Sequence, residues 1–332
     1  MTTDRFRRAK ELFEAASALP EVEVSGFLDT ACGGDTSLRE EVATLLQLDR
    51  EFELASAPPP VLKDVDHFRI ISSVGEGGMG EVWEAEQTSP VKRRVALKLI
   101  KWGMDTRAVL ARFEAERQAL AWMNHPNIAA VFEAGATSEG RPFFAMEFVE
   151  GTSITAYCDE EQLTLHERLG LFAQVCDGVQ HAHQKGVIHR DLKPSNVLVT
   201  ERDGAVVPKI IDFGVAKATS QQLTEMTLAT GLGVFIGTPE YMSPEQAAGG
   251  GGDVDTRSDV YSLGVMLYEL AVGSLPIDPD IGESSSVDEI RRRIRDERPQ
   301  RPSSRVGRLN GGSEDCASRR GTDIRGLRKA LK

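Results

Sequence analysis

Pro58, Pro59 and Pro60 stand in a row inside the stretch ASAPPP, residues 55–60. Proline lacks a backbone N–H, and its ring clashes with the carbonyl four residues back. No helix and no central strand can therefore run through this point. The two sides of the break differ in texture. Before it, residues 1–54 follow a helical period, with Phe6, Ala9, Phe13 and Ala16 on one face. Ser37 followed by Glu40 gives capping-box spacing ahead of Leu38, Val42, Leu45 and Leu46. The expected units are a helical appendage over 1–54, a proline-rich linker over 55–67 and a main domain over 68–332. A chain of 332 residues is long enough for a real core and more than one unit.

From Phe68 the pattern becomes β-like: FRIISSV, then GEGGMG, then EVWEAEQ. In RRVALKLI, Val95, Leu97 and Leu99 alternate with Ala96, Lys98 and Ile100, the period of a strand. A helix carrying Phe113, Leu120 and Met123 follows, then two short strands flanking Gly135. Past Gly151 the chain turns mostly helical, over Leu165 to Ala182 and again around Val260, Leu263, Leu267 and Leu270. The expected class is α+β: a small β-rich lobe over 68–147, a hinge over 147–151 and a larger helical lobe over 152–332. After Val306 the run NGGSEDCASRRG shows little apolar periodicity, so the last helices of that lobe are expected to be missing or altered. GGGGD, residues 249–253, reads as a loop elaboration.

The formal net charge of −12 argues against a general binder of nucleic acid or anionic membrane. From Ile290 to Lys332, 14 Lys/Arg stand against 5 Asp/Glu, with no aromatic residue to stack a base. That stretch reads as a flexible or substrate-facing basic surface. Cys32, Cys158, Cys176 and Cys316 lie far apart, as reduced thiols would in a cytoplasmic protein. No secretory signal and no apolar run of 18 or more residues is present, so no membrane segment is expected in this chain.

GEGGMGEV contains GxGxxGxV, from Gly75 through Gly77 and Gly80 to Val82. A plain glycine turn between strands accounts for it equally well. A dinucleotide site should open a helix after its last glycine, yet Trp83 and Glu84 lead into another strand. A Walker loop would need Gly-Lys-Ser/Thr, which is absent here. A glycine hairpin lets backbone N–H groups fold over phosphates without Cβ clashes. Lys98 can be a lysine snorkelling at a strand edge; turned inward it needs a partner, for which Glu116 on the next helix is the candidate.

HRDLKPSN, residues 189–196, crowds charge into one segment that Pro194 keeps from becoming a helix. Asp191 is placed to accept a hydroxyl proton, and Lys193 can neutralise a transferring phosphoryl group. Asn196, with Asp212 of IIDFG, supplies hard oxygens suited to Mg²⁺, which takes few protein ligands beside substrate phosphates.

GxGxxGxV, VALK, HRDLKPSN, DFG and the SPE of MSPEQA occur in the order of a protein kinase. HPNI (His125–Ile128), YMSPEQA and RSDVYSLGVMLYEL resemble the bacterial eukaryotic-like Ser/Thr kinases over about residues 68–305. The resemblance implies a two-lobed kinase fold using ATP with Mg²⁺ (or Mn²⁺). The phosphates would lie beneath Val74, Gly75, Glu76, Gly77, Gly78, Met79 and Gly80. Adenine would lie between Val82, Ala96 and Leu198, behind Met146, with backbone bonds from Glu147 to Val149. Lys98 and Glu116 would form the ion pair at the phosphates. Lys193 accompanies Ser/Thr specificity in the family, so the implied partners are protein substrates bearing Ser or Thr. Arg190 is typical of members switched by loop phosphorylation, here on Thr224, Thr227 or Thr230, with self-association for autophosphorylation. Glu245 is held in the family by an arginine on a late C-terminal helix. The rival readings are a pseudokinase or scaffold that binds nucleotide without efficient transfer, and a small-molecule phosphotransferase. The first usually lacks Lys98, Asp191 or Asp212, and the second lacks a threonine-rich segment ending in SPE.

Overall fold

The computed structural model describes residues 64–77, 80–100, 123–202, 204–213, 239–248, 255–277, 287–308 and 313–332, with a further set between 12 and 42. The chain divides into two compact units, Met1–Lys63 and Asp64–Lys332.

In the first unit, helix α1 spans Glu21–Ala31. Leu12, Ala16, Leu28, Cys32, Leu38 and Val42 pack into a small core of their own. Of the expected face only Ala16 is among the described residues, and it is buried, as is Leu12 one helical turn before it; Phe6, Ala9 and Phe13 lie outside the described residues. Ser37 and Glu40 also lie outside them. The Leu38 N–H donates to Asp35 Oδ1 at 2.9 Å, the usual service of a short acidic side chain at a helix start.

In the second unit, β1 (Phe68–Gly77), β2 (Gly80–Gln87), β3 (Arg93–Ile100), β4 (Val131–Ala136) and β5 (Pro142–Glu147) form one antiparallel sheet. Its order is β1-β2-β3-β5-β4. Val95, Leu97 and Leu99 are buried as the alternation requires. Lys98 and Ile100 are buried as well, because the far end of β3 is covered on both faces. Gly80 sits against Leu99, whose carbonyl a Cβ would strike, so this hairpin admits only glycine there.

Past the hinge, β6 (Thr152–Ser153), β7 (Val197–Arg202) and β8 (Ala205–Ile210) make a three-stranded sheet. It lies among α2 (Ile154–Glu160), the long α3 (Leu165–Gln184) and α5 (Thr256–Val272). Short α4 (Pro244–Ala247) precedes α5. Thr164 and Glu167 form the capping box that starts α3. The shared core joins Ile154, Val175, Val179, Leu192, Val197, Ile210, Phe213, Met266 and Leu270. The lobes are stitched by backbone: the Ala129 N–H donates to Ile210 O at 2.9 Å, and the Ile210 N–H to Asn127 O at 2.8 Å.

The stretch after Val306 is more ordered than its sequence suggests. α6 (Val287–Asp296) and α7 (Pro302–Arg305) are followed by α8 (Ser313–Ser318) and α9 (Ile324–Ala330). Cys316, Ala317 and Leu327 are buried with Tyr268, Val272 and Val306. Two helices of six and seven residues are too short to display a period, so the pattern failed although the helices formed.

The basic excess is likewise not one free surface. Arg320 is 2% exposed. Its guanidinium donates to Leu270 O, Ala271 O and Glu269 O, the open carbonyls at the C-terminus of α5, and to Cys316 O. Arg292, Arg293 and Arg319 are ion-paired to Glu289, Glu297 and Asp315. No helix among the described residues is long and apolar enough to cross a membrane.

Candidate functional site

The glycine hairpin forms as a β1–β2 turn, with Gly75 opposite Val82 and Gly77 opposite Gly80. Val74, Gly75 and Glu76 are exposed, while Gly78 and Met79 lie outside the described residues. Among the described residues nothing lies within 4 Å of the Cβ position of Gly75, so the hairpin backbone is open to close approach on that side.

Beneath the hairpin, Lys98 lies between Val82 on β2 and Phe144 on β5. Its ammonium is ion-paired with Asp212 Oδ1. The expected partner Glu116 lies outside the described residues. Ala96 sits opposite Met146, and both are half-buried, as are Val82, Val149 and, on β7, Leu198. Apolar walls thus stand on both sides of the strand end that leads into the hinge.

Glu147 does more than its backbone was expected to do. Its carboxylate accepts from the buried Lys209 ammonium at 2.8 Å, Arg202 at 3.4 Å and the Ala130 N–H at 3.2 Å. Its own N–H donates to Ala130 O at 2.8 Å. The hinge is therefore tied to β7, β8 and the start of β4. At Gly151 a Cβ would strike Val199 O, so the hinge lies flat on β7.

The catalytic-type loop is held by a residue that the sequence reading left without a role. Asp259, 0% exposed near the start of α5, accepts from His183 Nε2 at 2.7 Å, the His189 N–H at 2.8 Å and the Arg190 N–H at 2.7 Å. Burial alone would raise its pKa. The His183 bond, the nearby His189 and the two backbone bonds outweigh that and hold it below the usual value.

Arg190 (φ 66) and Asp212 (φ 59) both sit in the left-handed region. That conformation costs roughly 1–3 kcal/mol for a non-glycine residue and persists only where neighbours enforce it. His189 Nε2 lies 3.1 Å from Ile211 O and Nδ1 lies 3.3 Å from the Asp191 N–H. A carbonyl only accepts, so Nε2 carries the proton and Nδ1 accepts. Complete burial holds the imidazole pKa down, consistent with this neutral tautomer.

Around Asp191, Lys193 Nζ stands 3.3 Å from Oδ2. Asn196 Nδ2 donates to Asp191 O at 2.7 Å and to Oδ2 at 3.4 Å. The Ile211 N–H donates to Asn196 O at 2.9 Å, which brings Asn196 beside the Asp212 strand end. The amide nitrogen of Asn196 is thus committed, and its Oδ1 remains as a hard acceptor. Asp212 commits Oδ1 to Lys98 and keeps a second oxygen. The oxygens left at Asn196 and Asp212 are hard donors, few in number, of the type that suits a cation such as Mg²⁺.

The segment's end is anchored too. Ser258 Oγ donates to Glu245 Oε1 at 2.6 Å, Tyr241 Oη to Glu269, and Ser262 Oγ to Tyr241 O at 2.8 Å. Glu245 thus has a serine of α5 as its hydrogen-bond partner; burial would raise its pKa, but the Ser258 bond, with smaller help from its own backbone N–H, Ser243 and Arg257, holds it below the usual value. Thr224, Thr227 and Thr230 lie outside the described residues.

The pattern of a family described as protein kinase domain matches residues 68–318. Serine/threonine-protein kinase Pkn1 of Myxococcus xanthus is 36% identical over 274 residues, 79% of this chain and 38% of that protein. Serine/threonine-protein kinase pkn3 of the same organism is 39% identical over 247 residues, 72% of this chain and 44% of that protein. The chain spans less than half the length of these relatives. The crystal structure of the Mycobacterium tuberculosis PknI kinase domain matches with 26% identity and a TM-score of 0.53, covering 81% of this chain and 96% of that one.

Proposed function

The chain belongs to the protein kinase family, and on that footing we propose that it transfers the γ-phosphoryl group of ATP to Ser or Thr hydroxyls of proteins in bacterial signalling. The observation that carries the reading is the convergence of Lys98, Asp212, Asn196 and Asp191 through bonds between distant segments.

ATP would lie with adenine between Val82, Ala96 and Leu198 and its phosphates under the β1–β2 hairpin. Lys98 neutralises phosphate charge. The Asp191 carboxylate orients the substrate hydroxyl and takes its proton as the oxygen attacks the γ-phosphorus. The bond to the bridging oxygen breaks and ADP departs. Lys193, beside the Asp191 carboxylate, balances charge on the group in transit. Mg²⁺, held by Asn196 Oδ1 and Asp212, would supply positive charge at the phosphates. Arg190 would receive a phosphate made on Thr224, Thr227 or Thr230. Protein substrates, self-association during autophosphorylation and a cytoplasmic location belong to the same proposal.

The test is incubation with ATP and Mg²⁺ followed by intact-mass measurement and transfer to a generic protein substrate. Wild-type chain gains mass in steps of one phosphate. Asp191→Asn abolishes transfer while leaving ATP binding nearly intact, and turnover of the variant within tenfold of wild type overturns the role given to Asp191.

A further inference from the structure

The family reading leaves one polar side chain of the SPEQ run without work. Gln246 lies at the third position of α4. Its Oε1 accepts from the Ser243 N–H at 3.0 Å and from Ser243 Oγ at 3.1 Å. A glutamine doing only this would be half of a capping box. Its other end, however, reaches 56 residues back along the chain: Nε2 donates to Arg190 O at 2.9 Å.

That carbonyl is a particular one. Arg190 O and the Asp191 N–H belong to one rigid peptide plane. The N–H of that plane donates to His189 Nδ1, and the preceding plane is held through the Arg190 N–H by Asp259. Arg190 itself is left-handed. With Asp259 and Gln246 in place, the peptide groups on both sides of a strained residue are bonded. Without Gln246, the plane leading into Asp191 loses the bond at Arg190 O and keeps the 3.3 Å bond to an imidazole nitrogen. The neutral-neutral bond from Gln246 is of ordinary strength, but it acts on a conformation that its neighbours must enforce.

We propose that Gln246 is a positioning residue for Asp191: its carboxamide clamps the Arg190–Asp191 peptide to the SPEQ turn. The position of this turn is thereby transmitted to the proton-accepting carboxylate. The inference rests on the role given to Asp191 under Proposed function, and it concerns turnover rather than nucleotide affinity. Among the described residues, Gln246 has no bond to the ATP walls.

The test uses two variants of the full chain. Gln246→Met removes both ends of the carboxamide. Gln246→Glu keeps the acceptor for Ser243 and removes only the donor to Arg190 O. Two quantities are read: amide hydrogen exchange of the peptide covering 188–193 against that of α5, and kcat with KM for ATP. Both variants should accelerate exchange at 188–193 but not in α5. At pH 8 both should lower kcat by roughly tenfold, the loss of one bond of ordinary strength, with KM for ATP within twofold. The glutamate variant should regain kcat relative to wild type as pH falls toward 5, because a protonated carboxyl can again donate to Arg190 O. A structural role alone would show no such pH recovery. Unchanged exchange at 188–193, kcat within threefold of wild type, or a change carried by KM overturns the proposal. If the methionine variant does not fold, the glutamate variant carries the comparison. Exchange is read without turnover, so a wild-type chain that transfers no phosphate refutes the proposed function while exchange still decides this inference.

Discussion

Asp259→Asn is the most informative single change outside the reacting groups. The carboxylate has three donors, with Oδ2 facing His183 and His189 and Oδ1 facing Arg190. An asparagine of the same shape has one oxygen. In its least costly orientation it keeps His183 and His189 and turns its NH₂ toward the Arg190 N–H. One buried donor loses its acceptor, which costs about 1–3 kcal/mol, and the two retained bonds lose their charge assistance. The sum is about 3 kcal/mol of stability, or roughly 6–12 °C in Tm for a domain of this size. Arg190 then has less reason to remain left-handed, and release of roughly 1–3 kcal/mol of strain depopulates the loop geometry by about 5–150-fold. Thermal unfolding and steady-state turnover check both figures. A Tm within 2 °C of wild type together with turnover within threefold would refute the reasoning. Loss of Tm with full turnover in the folded fraction would show that Asp259 supports the helix and not the loop.

Lys98→Met should lower turnover by at least 10²-fold, because a buried cation facing Asp212 and the phosphates is lost; Glu116→Gln should lower it in the same assay, and the double variant should be far less impaired than the product of the two, multiplicative losses arguing that Glu116 is the wrong partner. Stability should fall as pH drops below about 6.5, the unfolded imidazole value, because burial holds the folded pKa of His189 lower; the contribution is present above that pH and lost toward the folded pKa, and a Tm that is flat from pH 7.5 to 5 refutes it. Alanine at Thr224, Thr227 and Thr230 together should depress activity, and Arg190→Ala should blunt the response to prior phosphorylation. Phosphatase-treated protein that works without a lag would exclude the switch.

The glycine hairpin, the alternation of β3 and the HRDLKPSN and DFG stretches were all legible in order of sequence. Each is a local matter: a missing N–H, an absent Cβ or a two-residue period acts within a few residues, wherever the segment ends up. The groups proposed to do the chemistry, Asp191, Asn196, Lys98 and Asp212, lie on such short restricted stretches. The groups that hold them were not legible in that way. Asp259 caps backbone amides 69 and 70 residues away, and backbone amides are the same at every position, so no residue pattern announces which carboxylate will meet them. Gln246, Glu147 and Arg320 are alike in this: each spends its side chain on a carbonyl, an N–H or a lysine brought near only when the sheets and α5 have packed. Even Lys98, found from its strand, received its observed partner from 114 residues away. Burial also reversed what composition implied, since a guanidinium counted as surface charge became the plug of a helix end once Leu327 and Val306 closed over that corner. A chain can write its catalytic groups into short words because their backbone geometry is local, but a hydrogen bond across the fold exists only after the core has fixed the distance.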